Sequence, residues 1–146
     1  MSRLTERFIT YLSEETGIPN AAFNYFRLHD ATDEQRANIS QASDFAVAVT
    51  LENLAPQRVA GNRGAGTMIA DLIIDLLVFN DRPADLVNMS NNIFKAMYDL
   101  STRLPDYEDF KLLTIEERGQ LPRYNQNSRP TTTLTYGLEM PLTFDA

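Results

Sequence analysis

The stretch with the most regular pattern is residues 131–144, TTTLTYGLEMPLTF, in which apolar and polar side chains alternate. Alternation with a period of two is the side-chain repeat of a β-strand that has one buried face. The pattern therefore predicts a strand whose core face carries Leu134, Tyr136, Leu138, Met140, Leu142 and Phe144. The opposite face of this strand then carries Thr131, Thr133, Thr135, Gly137, Glu139 and Thr143.

Residues 67–79, TMIADLIIDLLVF, allow two interpretations. A helix would collect one apolar face from Met68, Ile69, Leu72, Ile73, Leu76 and Leu77. A strand would place an unbroken apolar row on one side, with Thr67, Asp71 and Asp75 on the other. We favour the strand, whose apolar row consists of Met68, Ala70, Leu72, Ile74, Leu76 and Val78. Residues 45–52 alternate as well, so the two segments predict an antiparallel hairpin.

Two other segments have the three- and four-residue spacing of amphipathic helices. The first covers residues 4–15, and Gly17 supplies a stop after it. The second begins near Asp81 and Pro83, which are typical of a helix start. Its apolar stripe consists of Leu86, Ile93, Met97 and Leu100, joined by Val87 and Phe94.

The remaining segments complete the predicted order of elements. Residues 18–43 have little periodicity and are expected to be mostly loop, whereas residues 110–116 are rich in β-forming side chains. The order is then helix, strand, long loop, strand, helix, strand, long loop, strand. It predicts an α+β fold, in which helices pack on one face of an antiparallel sheet with long inter-strand loops. A length of 146 residues favours a single domain, 1–146.

The overall charge narrows the classes of partner. Thirteen Lys and Arg against twenty Asp and Glu give a net charge of -7, which disfavours general binding to nucleic acid or anionic membranes. Cysteine is absent, which excludes disulfides and thiolate metal sites and fits a reducing compartment such as the cytoplasm. No signal peptide or membrane span is expected, because the first residues lack an apolar run and Asp71 and Asp75 interrupt the longest one.

Residues suited to catalysis or ligand binding are few, and we expect neither an enzyme nor a cofactor. The single histidine, His29, lies beside Asp30 in a polar stretch, and no nucleophile motif accompanies it. The glycines of residues 61–66 match no phosphate-binding fingerprint. On a strand, Asp71 and Asp75 would stand about 13 Å apart, too far to share one metal ion. We expect them to line an exposed or subunit-facing side of the sheet, where they meet arginines of a neighbour.

Two predicted loops are basic within this acidic chain. Residues 53–66 hold Arg58 and Arg63 without any acid. The stretch from Arg118 to the closing strand also lacks acids and contains Arg123, Tyr124 and Arg129. Ordinary solvated loops would account for this composition. The functional alternative is two arms that fold against a partner, with arginine and tyrosine as interface anchors.

The layout resembles the tail-terminator, or tail-completion, proteins of long-tailed bacteriophages. The resemblance lies in an amphipathic helix, a hairpin with a long loop, a helix that starts at the sequence Asp81-Arg82-Pro83-Ala84, and a closing strand through Leu134-Thr135-Tyr136-Gly137-Leu138-Glu139-Met140. It covers most of the chain and depends on the order and size of the elements.

The resemblance implies a structural virion protein at the head-proximal end of the tail, assembled in the host cytoplasm. Such a protein forms a ring, a hexamer, that contacts the tail tube protein, ends tube polymerisation and offers a surface to a head–tail connector protein. DNA passes through its channel without specific binding. Two alternatives stay open: another connector or neck component, and a small ligand-binding domain or enzyme, which would require a pocket with convergent polar groups.

Overall fold

The computed structural model describes residues 3–28, 32–35, 45–58, 66–78, 83–104, 112, 114–124 and 130–141. Two long helices, α1 (Arg3–Thr16) and α2 (Pro83–Arg103), accompany five strands. The strands are β1 (Phe23–Asn24), β2 (Phe45–Arg58), β3 (Gly66–Val78), β4 (Thr114–Tyr124) and β5 (Pro130–Pro141). A short 3₁₀ helix (Asn20–Ala22) precedes β1, and residues 33–35 are helical. The predicted α+β class is confirmed.

The strands form one sheet in the order β1-β2-β3-β5-β4. The four long strands are antiparallel to their neighbours, as the alternation predicts. The two-residue β1 is the exception, because it runs parallel to β2 and pairs Phe23 with Val47. The sheet is therefore mixed, and a segment predicted to be loop supplies its edge.

Both long helices pack on one face of the sheet, as predicted, and form the main core with it. The described members of the predicted apolar rows lie on this face: β3 contributes Leu72, Ile74 and Leu76, and β5 contributes Leu134, Tyr136, Leu138 and Met140. Leu142 and Phe144, which were predicted to continue the second row, lie outside the described residues. The side chains of Leu134 and Ile93 are completely buried. The Tyr11 hydroxyl of α1 donates a hydrogen bond to the Ala96 carbonyl of α2 at 2.6 Å, which fixes the two helices against each other. Neither of the helices described is long and apolar enough to cross a membrane.

The end of α1 follows the prediction made from Gly17. This residue has a φ of 75°, a left-handed conformation that glycine adopts without steric cost. Its N–H still donates to the Ser13 carbonyl at 3.0 Å, so the last helical turn is closed. The glycine thus ends the helix and redirects the chain towards β1.

The two predicted long loops are wrong in extent, because both hairpins continue as strands. β2 runs to Arg58 and pairs with β3 up to Gly66, so residues 53–58 are strand. Similarly, β4 runs to Tyr124 and pairs with Pro130 of β5. Only residues 59–65 and 125–129 are left between the strands, and they lie outside the described part of the chain.

Two β-bulges explain the error. Glu52 pairs with Asp71 and Ala55 with Ile69, so β2 has one residue more than β3 across this interval. β4 gains one residue in the same way between Glu117 and Gly119. An extra residue reverses which positions face the core, and the alternation in the sequence therefore breaks although the strand continues.

Candidate partner-binding surfaces

The sheet face opposite the helices, here called the outer sheet face, carries alternate residues of β3 from Thr67 to Leu77 and their cross-strand neighbours. One row across four strands consists of Glu52, Asp71, Gly137 and Glu116. Glu139 lies in the adjoining row, paired with Ile69. Cross-strand neighbours share a face, so four carboxylates belong to this part of the surface. Glu116 is exposed, and the other three are half-buried.

Residues 26–28 lie on one end of the outer sheet face and are joined to it by Asp75. The Arg27 guanidinium donates from Nε to Asp75 Oδ2 at 2.7 Å and from Nη2 to Oδ1 at 3.3 Å. The Leu28 N–H and the Thr133 hydroxyl also donate to this carboxylate, at 3.2 and 2.8 Å. Arg27 reaches Glu52 as well, at 3.7 Å. Phe26 and Leu28 pack against Ala46 and Leu77 beside this network.

The expectation that Asp75 is exposed is corrected by these contacts. Only 5% of the residue is accessible, and the arginine it meets belongs to its own chain. Asp71 is different, because it is half-buried and accepts one hydrogen bond, from Asn53 Nδ2 at 2.8 Å. Among the described residues, no group of three or more His, Asp or Glu is arranged to hold a metal ion. A role for either aspartate at a partner interface stays a prediction.

Arg118 occupies the bulge of β4, and its guanidinium lies on the backbone of Gly137 in β5. A Cβ placed on Gly137 would stand 2.7 Å from Nη2 of Arg118 and would also meet its Nε. The absence of a side chain at Gly137 therefore creates the space that the guanidinium fills. The Arg118 side chain is nevertheless exposed, so its donors face solvent above the acidic row. Such an arginine is suited to a carboxylate on a partner.

The other predicted interface residues fall at opposite ends of the sheet. Arg58 ends β2, at the end where β3 begins and β5 finishes. Arg123 and Tyr124 end β4, at the end where β5 begins and β3 finishes. Arg63 and Arg129 belong to the connections at these two ends and lie outside the described residues, as does His29. The fold therefore separates the two basic groups instead of bringing them together.

Two features were missed by the sequence analysis. Arg27 lies in a stretch without periodicity, and no sequence signal indicated that it would pair with an aspartate 48 positions away. The solvent side of α2 was also overlooked, where Val87 is 57% and Tyr98 71% exposed. The sequence did contain a signal for the exposed side of α2. Val87 was predicted to join the apolar stripe, but of the two neighbours Leu86 and Val87 only Leu86 belongs to the core.

Comparisons with known proteins give a likeness of fold. No family model matches the chain, and no curated protein is similar to it. Among solved structures, the chain is similar to the tube terminating cap of the anti-feeding prophage, with a TM-score of 0.51 and 15% sequence identity. The match covers 97% of this chain and 55% of the cap chain, so the protein spans about half the length of that structure. The comparison thus shows a fold similar to that of the cap chain.

Proposed function

We propose that this protein is a ring-forming cap of a phage-type tail tube, which ends tube polymerisation and offers a surface for head joining. The observation that carries the proposal is the similarity of fold to a tube terminating cap along almost the entire chain. Its partners are then further copies of itself, six in a closed ring, the tail tube protein and a head–tail connector protein. The role is structural and requires no catalytic group.

The geometry of the sheet supports a protein with two different neighbours. A cap must contact the tube on one side and the next component on the other. The strands place Arg58 at one end of the sheet, and Arg123 and Tyr124 at the other. We assign the Arg58 and Arg63 end to the tube and the Arg123, Tyr124 and Arg129 end to the connector. Arginine and tyrosine are residue types enriched at interface centres.

The net negative charge of the chain supports a role in which DNA passes the protein without being bound. A net charge of -7 for each copy adds up around a ring, and the acids of the outer sheet face supply no counter-charge to phosphates. Each phosphate neutralised by a protein cation would instead strengthen binding and hinder passage. We therefore expect DNA to pass through the ring without binding at a specific site.

The proposal is tested by assembling tubes from the tube protein of the same particle with and without this chain. Electron microscopy measures tube length and the density at the tube ends. We expect tubes of limited length that carry a six-fold ring of this chain at one end. An unchanged length distribution, with no copy at the tube ends, would refute capping. Copies found only on the head side, with tube length unaffected, would favour the alternative of a connector or neck component.

A further inference from the structure

The strands at both edges of the sheet have features that disfavour pairing with a further strand. β4 is the last strand on one side, and it combines a bulge at Arg118 with Pro122, which has no N–H to donate. On the other side, within the described part of the chain, β1 covers only Val47 and Ala48 of β2, and beyond it β2 contains the bulge and Pro56. Bulges, prolines and exposed charges are the devices that prevent strand addition. A contact between copies of this chain is therefore expected to use side-chain surfaces.

The solvent side of α2 has the composition of such a surface. The exposed positions near the end of α2 include the charged residues Asp99 and Arg103, whereas those from residue 87 to 98 include a single charged group. The exposed positions of this second set are Val87, Asn88, Asn91, Asn92, Lys95 and Tyr98. We call these six residues the α2 stripe. On α1, by contrast, three of the four exposed helical positions described are glutamates, with Thr10 as the fourth. Asparagine is a weak helix former, and solvated helices usually carry Glu, Lys or Arg at such positions.

We propose that the α2 stripe is the contact through which one copy of this chain binds another, with Tyr98 as its anchor. This inference rests on the proposed ring. Copies that each carry a net charge of -7 repel one another, so a contact between them is favoured where charge is scarce. The amides of three asparagines each supply donors and acceptors, which suits an uncharged partner surface on an identical chain. Exposed tyrosine and valine supply the apolar area that drives association.

The size of the α2 stripe indicates when the contact forms. Twelve helical residues rise about 17 Å, and one helix face of that length supplies only part of the roughly 800 Å² per partner of a standard stable interface. The contact is therefore weak between free copies. It becomes stable when the tube holds neighbouring copies side by side, because the effective concentration then rises.

The test places a photo-crosslinking benzoylphenylalanine at position 98 of the full chain, bound to tubes. Mass spectrometry identifies what is joined to it. We expect a crosslink to a second copy of this chain. A matched probe at Thr10, an exposed position on α1, should give none. Crosslinks from position 98 to another protein only, or no crosslink at all, would overturn the proposal.

Charge insertion supplies an independent measurement. Tyr98→Glu should leave the melting temperature unchanged and lower ring occupancy on tubes at least tenfold, whereas Thr10→Glu should preserve both. Equal occupancy for the two variants would refute the α2 contact. Tube length for the unmodified chain is recorded in the same experiment. If that chain fails to limit tube length but still crosslinks to itself, the capping function is wrong and the self-contact stands.

Discussion

A single carboxylate, Asp75, joins residues 26–28 to the sheet through hydrogen bonds from Arg27, Leu28 and Thr133. Asp75 is buried and the Arg27 side chain is only 17% exposed, so this pair is costly to break from one side, because the partner is left without compensation. Asp75→Ala should therefore lower the free energy of unfolding by about 3–5 kcal/mol, measured by urea denaturation. Glu52→Gln is the matched control, since its side chain is 41% exposed and should contribute less than about 1 kcal/mol. Equal losses would show that the network is not centred on Asp75.

The sequence could indicate that Asp75 was unusual but not what it binds. An acid inside the apolar run of residues 67–79 must be either exposed on the far face or paired, and the expected partners were arginines of a neighbouring subunit. The pairing arginine lies in a segment that crosses from the helical side of the sheet, through Phe23 in the core, to the outer sheet face at Phe26. That path depends on tertiary packing. Periodicity records only which side of an element is buried, so it could not reveal the path.

The strands were predictable from the sequence only where the alternation of apolar and polar side chains is unbroken. β3 and the central part of β5 lie on the faces assigned to them, since each apolar row continues without a bulge. In β2 and β4 the bulges reverse the alternation after Glu52 and Glu117, and the prolines and glycines there suggested loop. Proline is accepted in a strand at the edge of a sheet, which the sequence alone does not identify. Fold class was therefore predictable, whereas hairpin length was not.

The bulge of β2 makes a prediction of its own. Asn53 has a φ of 57°, in the left-handed region that asparagine and glycine tolerate and that β-branched residues avoid. Asn53→Val should destabilise the fold by at least about 1–2 kcal/mol, from the cost of that conformation. Asn53→Gly loses the hydrogen bond to Asp71 but keeps the backbone conformation, so its effect should be smaller. The denaturation midpoints of the two variants measure this difference. A valine variant as stable as the glycine variant would contradict the left-handed conformation of Asn53 at the bulge.

In the molecule as a whole, the two basic groups flank an acidic sheet at its opposite ends. The sequence predicted both groups, but their separation follows from strand register and could not be derived from composition. This arrangement gives each end its own expected partner under the proposed function. It also means that the two groups can be tested separately within one assembled particle.

The corresponding prediction uses charge reversal at each end in turn. Arg58→Glu with Arg63→Glu should prevent limitation of tube length, because two attractions to the tube become repulsions in every subunit of the ring. Arg123→Glu with Arg129→Glu should leave tube length normal and prevent head joining, measured by infectivity complementation. Both double variants should melt like the unmodified chain, since arginine side chains are rarely buried and surface substitutions usually have little effect on folding. Reversal of Arg3 and Arg7 on α1 is the control and should change neither function. If the two ends gave the same defect, the assignment of one partner to each end would be wrong, and both groups would serve a single interface.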